Sequence, residues 1–267
     1  PSGAVGLALL LLVVAVALLG PFFAPYAPDE PIGIPLTRPG DGAPLGTDLL
    51  GRDVLSRVLW GGRSALALAG IATLLAYAAG VSVGLAAGFS RSWLDPVLMR
   101  SVDILIAFPA LLFLLVLATG AGASTTALVL GVALVQAPPV ARIVRSATLE
   151  QSVKGFVEAA VARGERTHAI LRREILPNIA APIAADVGLR FTYSIILIAS
   201  VNFLGLGLQP PAADWALIVS ENRNALELQP YVILAPALLI ALLTIGVNLV
   251  GDAIARTLGR SSPEGLA

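Results

Sequence analysis

Between Ile104 and Ala141 the chain carries no ionisable side chain. At about 1.5 Å of helical rise per residue such a run extends on the order of 55 Å, against a hydrocarbon slab about 30 Å thick. That is too long for one crossing, and the small-residue patch GAGAST at 120–125 divides it. Marking other spans by their uncharged stretches gives crossings at about 3–24, 64–88, 100–119, 125–147, 184–206 and 231–253. The composition agrees: 57% hydrophobic, 13% charged, mean hydropathy +0.88. Soluble domains carry about 25% charged residues, and this apolar excess cannot be buried in one water-soluble core. Barrel-type alternation is absent. The expected fold class is an all-α membrane protein with six transmembrane helices.

Several functions are excluded at once. Net charge is zero, so nothing favours nucleic acid as a partner. Without cysteine there are no disulfides or thiolate metal sites, and His168 is the only histidine, so no metal site is expected. The one lysine, Lys154, follows Val153 rather than glycine, so no GxxxxGK[ST] loop exists; if ATP drives the work, a partner must bind it. Gly62-Arg63-Ser64 is half of a GxSxG elbow, but Leu66 breaks it, so no catalytic residue is assigned. The first apolar run is read as a retained span, since it is too long for a signal-peptide core.

Orientation follows from Lys and Arg in short loops. With both termini inside, the inner segments 89–99, 148–183 and 254–267 hold Arg91, Lys154, Arg163, Arg166, Arg172, Arg173, Arg256 and Arg260, and Arg100, Arg142 and Arg145 sit at inner span ends. The outer segments hold Arg38, Arg52, Arg57, Arg63 and Arg223. The 25–63 loop is rich in Pro and Gly up to Gly46. From Thr47 or Asp48 the alternation of Leu49, Leu50, Asp53, Val54, Arg57 and Val58 reads as a capped helix lying at the membrane interface before the second span, or as a contact for an external partner.

The most charged passage is EAAVARGERTHAILRREILPN, 158–178, between the fourth and fifth spans. Glu158 to Arg163 suits a helix, and Gly164 supplies the left-handed turn a helix end needs. Glu165 to Leu176 suits a second helix, with Thr167 or Glu165 near its start and Pro177 at its end. Ala159, Ala160 and Ala162 would present small side chains to an approaching backbone, and the surrounding charges would fix register in a complementary groove. A plain solvated loop carrying an amphipathic helix is the alternative.

Four blocks then align with one family. EAAVARG, ten residues and ILPN resemble the EAA loop of ABC importer permeases, in the spacing of the dipeptide/oligopeptide/nickel branch. GTDLLGRDVLSRVLWGGR (46–63), VDILIAFPALL (102–112) and NFLGLGLQPPAADWALIVSENRN (202–224) resemble that branch's second, C-type permease subunit, in the right order. The resemblance implies the type I importer permease fold and a coupling helix at about 158–174 seated in an ATPase subunit. Glu158, Ala159, Ala160 and Gly164 match the motif, with Arg163 and Glu165 beside them. It implies a second permease subunit, two ATPase subunits that hold ATP and Mg, an extracytoplasmic binding protein docking near Gln209, Trp215, Glu221 and Arg223, and no cofactor or covalent chemistry in this chain. The location implied is a bacterial inner membrane, with both termini cytoplasmic. The cargo implied is a dipeptide or oligopeptide, with nickel, haem or a glycoside on the same scaffold as alternatives and an ATP-independent secondary transporter as the rival class. Ile198, Asn202, Gly259 and Arg260 depart from the family pattern. The organisation expected is 1–63 first helix and outer loop, 64–258 permease domain, and 259–267 tail.

Inside the spans, Asp103 and Arg190 are expected to face the helix bundle or a pore. Asp103 pairs with Arg100 or Arg91 in the plainer reading, and Arg190 snorkels or pairs with Asp186 one turn earlier. Pro109, Pro138 and Pro139 are expected to interrupt the third and fourth spans, as packing kinks or as hinges. Trp60, Trp93 and Trp215 fall near predicted interfaces, as an aromatic belt does. Asn248 and Asp252 are expected to serve capping or helix contact.

Overall fold

The structure, a computed structural model, describes residues 2–40, 42–90, 92–122 and 124–260. Helix α1 spans Ser2–Phe23, α2 Val54–Phe89, α3 Leu94–Ala107, α4 Ala110–Ala121 and α5 Thr125–Ser152. A short helical series follows: α6 Gly155–Ala162, α7 Thr167–Ile170, a π turn Leu171–Ile175 and α8 Leu176–Asn178. Then come α9 Ala180–Phe203, α10 Trp215–Glu221 and α11 Tyr231–Arg260. Among the described residues the only β pairing is isolated bridges in the loop before α2, including Pro31 with Arg52 and Thr47 with Asp53.

Five helices are long and apolar enough to cross a membrane, within α1, α2, α5, α9 and α11. The expected third span is not one rod. α3 and α4 meet at 83°. Pro109 lacks an N–H and pushes the residue before it out of helical geometry, so Phe108 sits at φ −78°, ψ 129° and the helix restarts at Ala110. Pro138 and Pro139 do not act like Pro109: both lie inside the unbroken α5. Neighbouring helices hold α5 on both sides of the pair, a setting in which a membrane helix tolerates proline.

The second span also departs from expectation. No separate interfacial helix exists at 47–58. Asp53 caps α2, its carboxylate accepting from Ser56 N–H at 2.7 Å, and one helix of 36 residues follows. That length is about 54 Å, more than a slab of about 30 Å requires. Residues 47–53 are instead a folded turn in which Asp48 N–H bonds Arg52 O at 3.0 Å and Val54 N–H bonds Gly46 O at 3.1 Å.

Close approach between helices comes from glycine. A Cβ at Gly80, Gly84 or Gly88 of α2 would stand 2.7, 2.7 and 2.8 Å from the backbone oxygens of Ala137, Ala141 and Arg145 on α5. Small residues at a four-residue spacing let two backbones meet and gain dispersion contact. The two rows ascend together, so α2 and α5 run parallel. Gly6 of α1 faces Leu249, and Gly246 of α11 faces Leu10, so that pair runs antiparallel. Ala17 of α1 meets Gly62 near the start of α2, and Gly188 of α9 meets Asn248 of α11. The start of α1, the end of α11 and the segment after α5 therefore share one end of the bundle. The loops before α2 and after α9 share the other.

Three apolar clusters stack along this axis. A central one holds Val13, Leu68, Leu114, Val132, Ile198, Trp215 and Leu243. One lies beneath the α6–α8 segment, and one joins Val54 and Val58 to Ile218, Ala225 and Val232 at the opposite end. Arg91, Asp41 and residues 261–267 lie outside the described residues, as do the side chains of Gly259 and Arg260. Helix α11 runs to Arg260.

Candidate functional site

The charged segment forms an elbow. α6 ends in a turn that sequence alone anticipates: Gly164 N–H bonds Val161 O at 2.9 Å and Glu165 N–H bonds Ala160 O at 3.2 Å. This crossed pair satisfies two carbonyls at the helix end and needs a left-handed residue, which Gly164 supplies at φ +72°. Nothing lies within 4 Å of where its Cβ would be, so backbone geometry, not crowding, selects glycine. Beyond the turn the chain departs from expectation. Pro177 does not end the second helix. A π turn over Leu171–Ile175, with Leu176 N–H reaching Leu171 O, precedes the proline and the helical path continues to Asn178. A single π turn shifts side chains around the axis without breaking the helix.

The elbow is seated by Val157, Ala160, Ile170, Ile175 and Ile179, which pack against Val140 and Val144 of α5 and against Tyr77, Val81, Leu85 and Phe89 of α2. Ala160 is fully buried, so of the expected small-residue surface only Ala159 and Ala162 face outward. Glu158 is exposed in the first turn of α6, where the helix dipole favours an acid. Arg163 donates to Glu165 at 2.9 and 2.7 Å across the turn. His168, Ala169, Arg172 and Arg173 line a depression of about 310 Å³ on the outer side. The elbow thus has an apolar root fixed to two long helices and a charged outer rim.

In and beside the spans, charged side chains pair both between helices and within one. Arg142 of α5 donates to Asp103 at 2.6 Å, both half-exposed, so the partner of Asp103 is Arg142 among the described residues. Arg145 grips Asp95 with two bonds of 2.6 and 2.7 Å. Arg190 pairs with Asp186 at 3.1 Å, as the one-turn spacing suggests, and Tyr77 donates to the same carboxylate at 2.8 Å. Gln136 donates to Arg190 O at 2.8 Å, and the Thr73 and Ser194 hydroxyls meet at 3.0 Å. Asn248 of α11 donates to Thr192 at 2.9 Å, a helix contact. These bonds tie α2, α5, α9 and α11 together.

At the far end sits a site that sequence reading missed. Arg57, fully buried, donates to Asp48 at 2.9 Å and to Glu221 at 2.6 Å. Arg52 donates to the same two acids at 2.7 and 2.9 Å. Asp48 also accepts from Leu50 and Arg52 N–H, and Asn222 accepts from Leu49 N–H at 3.0 Å. Four charges balance in pairs and lock the loop before α2 onto α10. The regular apolar-charged alternation of 48–58 disguised this cluster as a surface helix. The signal available within the segment was charge alone: Asp48, Arg52 and Arg57 fall within ten residues with one arginine in excess, and the balancing acid, Glu221, comes from far along the chain.

The residues expected on a docking surface divide. Trp215 is fully buried, its indole N–H donating to Val58 O at 2.8 Å. It is part of the core, not of an aromatic belt, whereas Trp93 is exposed. Glu221 is committed to the cluster. Gln209 and Arg223 are exposed, Gln209 donating to Gly205 O at 2.9 Å. Asp214 caps α10 from a buried position: burial raises its carboxyl above the usual range, while bonds from Leu217 N–H, the Ser64 hydroxyl and Ala216 N–H pull the other way. Among the described residues no group of three or more His, Cys, Asp or Glu could hold a metal ion.

A bundle of helices long and apolar enough to cross a membrane, with one sharply bent pair and a charged elbow pinned at one end, defines a multi-pass membrane protein. Comparison with known proteins names the family. Residues 80–261 match the model for the binding-protein-dependent transport system inner membrane component, and residues 1–38 match that for the N-terminal TM domain of oligopeptide transport permease C. The chain belongs to that family of transport permeases. It is 35% identical over 246 residues to the glutathione transport system permease protein GsiD of Pectobacterium atrosepticum, covering 91% of this chain and 82% of that protein. It is 34% identical to the di/tripeptide transport system permease protein DppC of Pseudomonas aeruginosa, covering 93% and 84%. The fold is shared with inward-facing structures of the MetNI methionine ABC transporter, at a TM-score of 0.61 and 19% identity over 76% of this chain and 96% of that one.

Proposed function

We propose that this chain is one of two permease subunits of an ATP-driven importer of dipeptides or oligopeptides, set in a bacterial inner membrane with both termini cytoplasmic. The observation that carries the reading is the elbow: a helix, a glycine turn and a second helix, rooted by apolar side chains in the ends of α2 and α5 and charged on the outer rim. A force applied to the rim passes into two glycine-packed rods rather than into a slack loop. Glu158, Ala159, Arg163, Gly164 and Glu165 would meet the groove of an ATPase subunit, and Ala160 would hold the helix in place from beneath. Two such subunits would bind ATP and Mg, while this chain would perform no covalent chemistry. Closure of the ATPases would tilt the rods and alternate access to a path shared with the second permease subunit. Asp103, half-exposed with Arg142 beside it, would lie along that path, and Arg190 would act within the bundle.

The names of the relatives, which transport glutathione and di- or tripeptides, support a peptide cargo. A binding protein would deliver it to the end holding Gln209 and the loop before α2. Purification of the tagged chain from its native membrane tests the reading. Stoichiometric ATPase subunits and ATP-dependent uptake of labelled dipeptide in proteoliposomes are expected. Isolation of the chain alone, with uptake driven by an ion gradient, would overturn it.

A further inference from the structure

Two clefts meet at the outer end of α9. One, of about 520 Å³, is apolar and bounded by Leu111, Ile196, Ala199, Val219 and Ile240, with the Ser200 hydroxyl turned back to Ile196 O at 2.8 Å. The other, of about 570 Å³, is bounded by Gly205, Ser220, Glu221, Arg223 and Asn224. Phe203 and Leu204 line both, so an apolar cleft and a polar one adjoin at these two residues and are treated as the floor and rim of one groove. Its two ionisable groups are not equivalent. Glu221 is neutralised by Arg52 and Arg57. Arg223 leans over the Phe203 ring at 5.1 Å and donates to Phe203 O at 3.3 Å, with no carboxylate of a described residue in ion-pair reach. The groove's one uncompensated charge is therefore a guanidinium standing where apolar floor becomes polar rim.

We propose that Arg223 sets specificity in the transport path by receiving the free carboxylate of the cargo while its apolar side chains lie along the Phe203–Leu111 floor. A guanidinium forks onto a carboxylate with two parallel bonds, which a neutral amide end cannot accept as an ion. The class selected is a small organic acid with an apolar body, and a peptide with an unblocked C-terminus has that form. This rests on the reading as a peptide importer and refines it.

The test is uptake by the reconstituted complex, with its binding protein saturating, of an apolar dipeptide and of the same dipeptide amidated at its C-terminus. Each rate is measured for the unaltered complex, Arg223→Gln, Arg223→Lys and the neighbouring Glu227→Gln. The acid-to-amide rate ratio is expected to fall about fivefold in Arg223→Gln, the size of a partly exposed charge pair. Arg223→Lys should recover part of the ratio, and Glu227→Gln should keep it. An unchanged ratio in Arg223→Gln overturns the proposal, as does equal slowing of both cargoes with weaker binding-protein association, which would make Arg223 a docking residue. Failure of the unaltered complex to carry either dipeptide would instead count against the peptide cargo itself.

Discussion

At Gly164 one dihedral angle decides whether the elbow exists. Its φ of +72° is open to glycine and closed to proline, and its N–H is a partner in the crossed turn. Gly164→Ala keeps the N–H and pays only for the left-handed backbone, about 1 kcal/mol. It should leave measurable uptake, whereas Gly164→Pro should abolish ATP-driven uptake with the protein still present in the membrane; radiolabelled uptake beside an immunoblot reads both. Asp214 offers a second test at this scale. Its folded carboxyl sits above the usual range because it is buried, so the folded state holds a proton more tightly than the unfolded chain does. The associated stability is complete below the unfolded pKa, about 4, and is lost as pH rises through the folded value. Asn caps a helix about as well as Asp and carries no charge. The melting temperature of Asp214→Asn should therefore exceed that of the unaltered protein by a margin that grows from about pH 4 upward and then levels off. A margin independent of pH would mean that Asp214 is not the titrating group.

Among the elements, those with strong sequence signals fell where local chemistry dictates. The glycine stop after α6 and the long apolar runs of α1, α5, α9 and α11 depend on neighbours only for their packing. The errors lie where a tertiary partner decides. The alternation around Arg52 and Arg57 fits a surface helix until Glu221, far along the chain, is brought against it. Likewise Pro109 breaks its span while Pro138 and Pro139 do not, a difference set by the helices on either side rather than by proline itself. Ala160 faces inward because α6 lies down on α5, which spacing alone does not say. Two substitutions probe these long-range terms. Arg57→Ala removes one of the two arginines shared by Asp48 and Glu221, leaving the two acids to Arg52 alone, and should cost about 3 kcal/mol, the low end for a broken buried pair, read as lower thermal stability in detergent. Gly84→Leu drives a side chain into Ala141 O and Val144 and should cost about 3 kcal/mol by overpacking, separating α2 from α5. Gly70→Leu, at a position with open space on the same helix, should cost little.

For the whole molecule, direction is the property on which function turns. Parallel α2 and α5, with α1 and α11 antiparallel to each other, put the elbow at one end and the Asp48–Arg57–Glu221 cluster at the other. Transport by the proposed mechanism needs the elbow in the compartment that holds ATP and the opposite end in the compartment that holds cargo. The excess of Lys and Arg near the elbow favours that placement. The chain has no cysteine, so single-cysteine variants report unambiguously. Ala162 on the elbow and Leu50 on the opposite loop are both exposed, and neither side chain is committed to a bond given above. Ala162→Cys should react with a membrane-impermeant maleimide in inverted vesicles and be silent in intact spheroplasts, and Leu50→Cys should do the reverse. In the assembled complex Ala162→Cys should also be shielded, because a bound ATPase covers the rim, and washing the ATPase subunits off should restore labelling. If both cysteines react from the same side, the bundle direction is wrong. If Ala162→Cys labels freely in the full complex in every nucleotide state, the elbow touches no motor, and the force path from rim to α2 and α5 has no source.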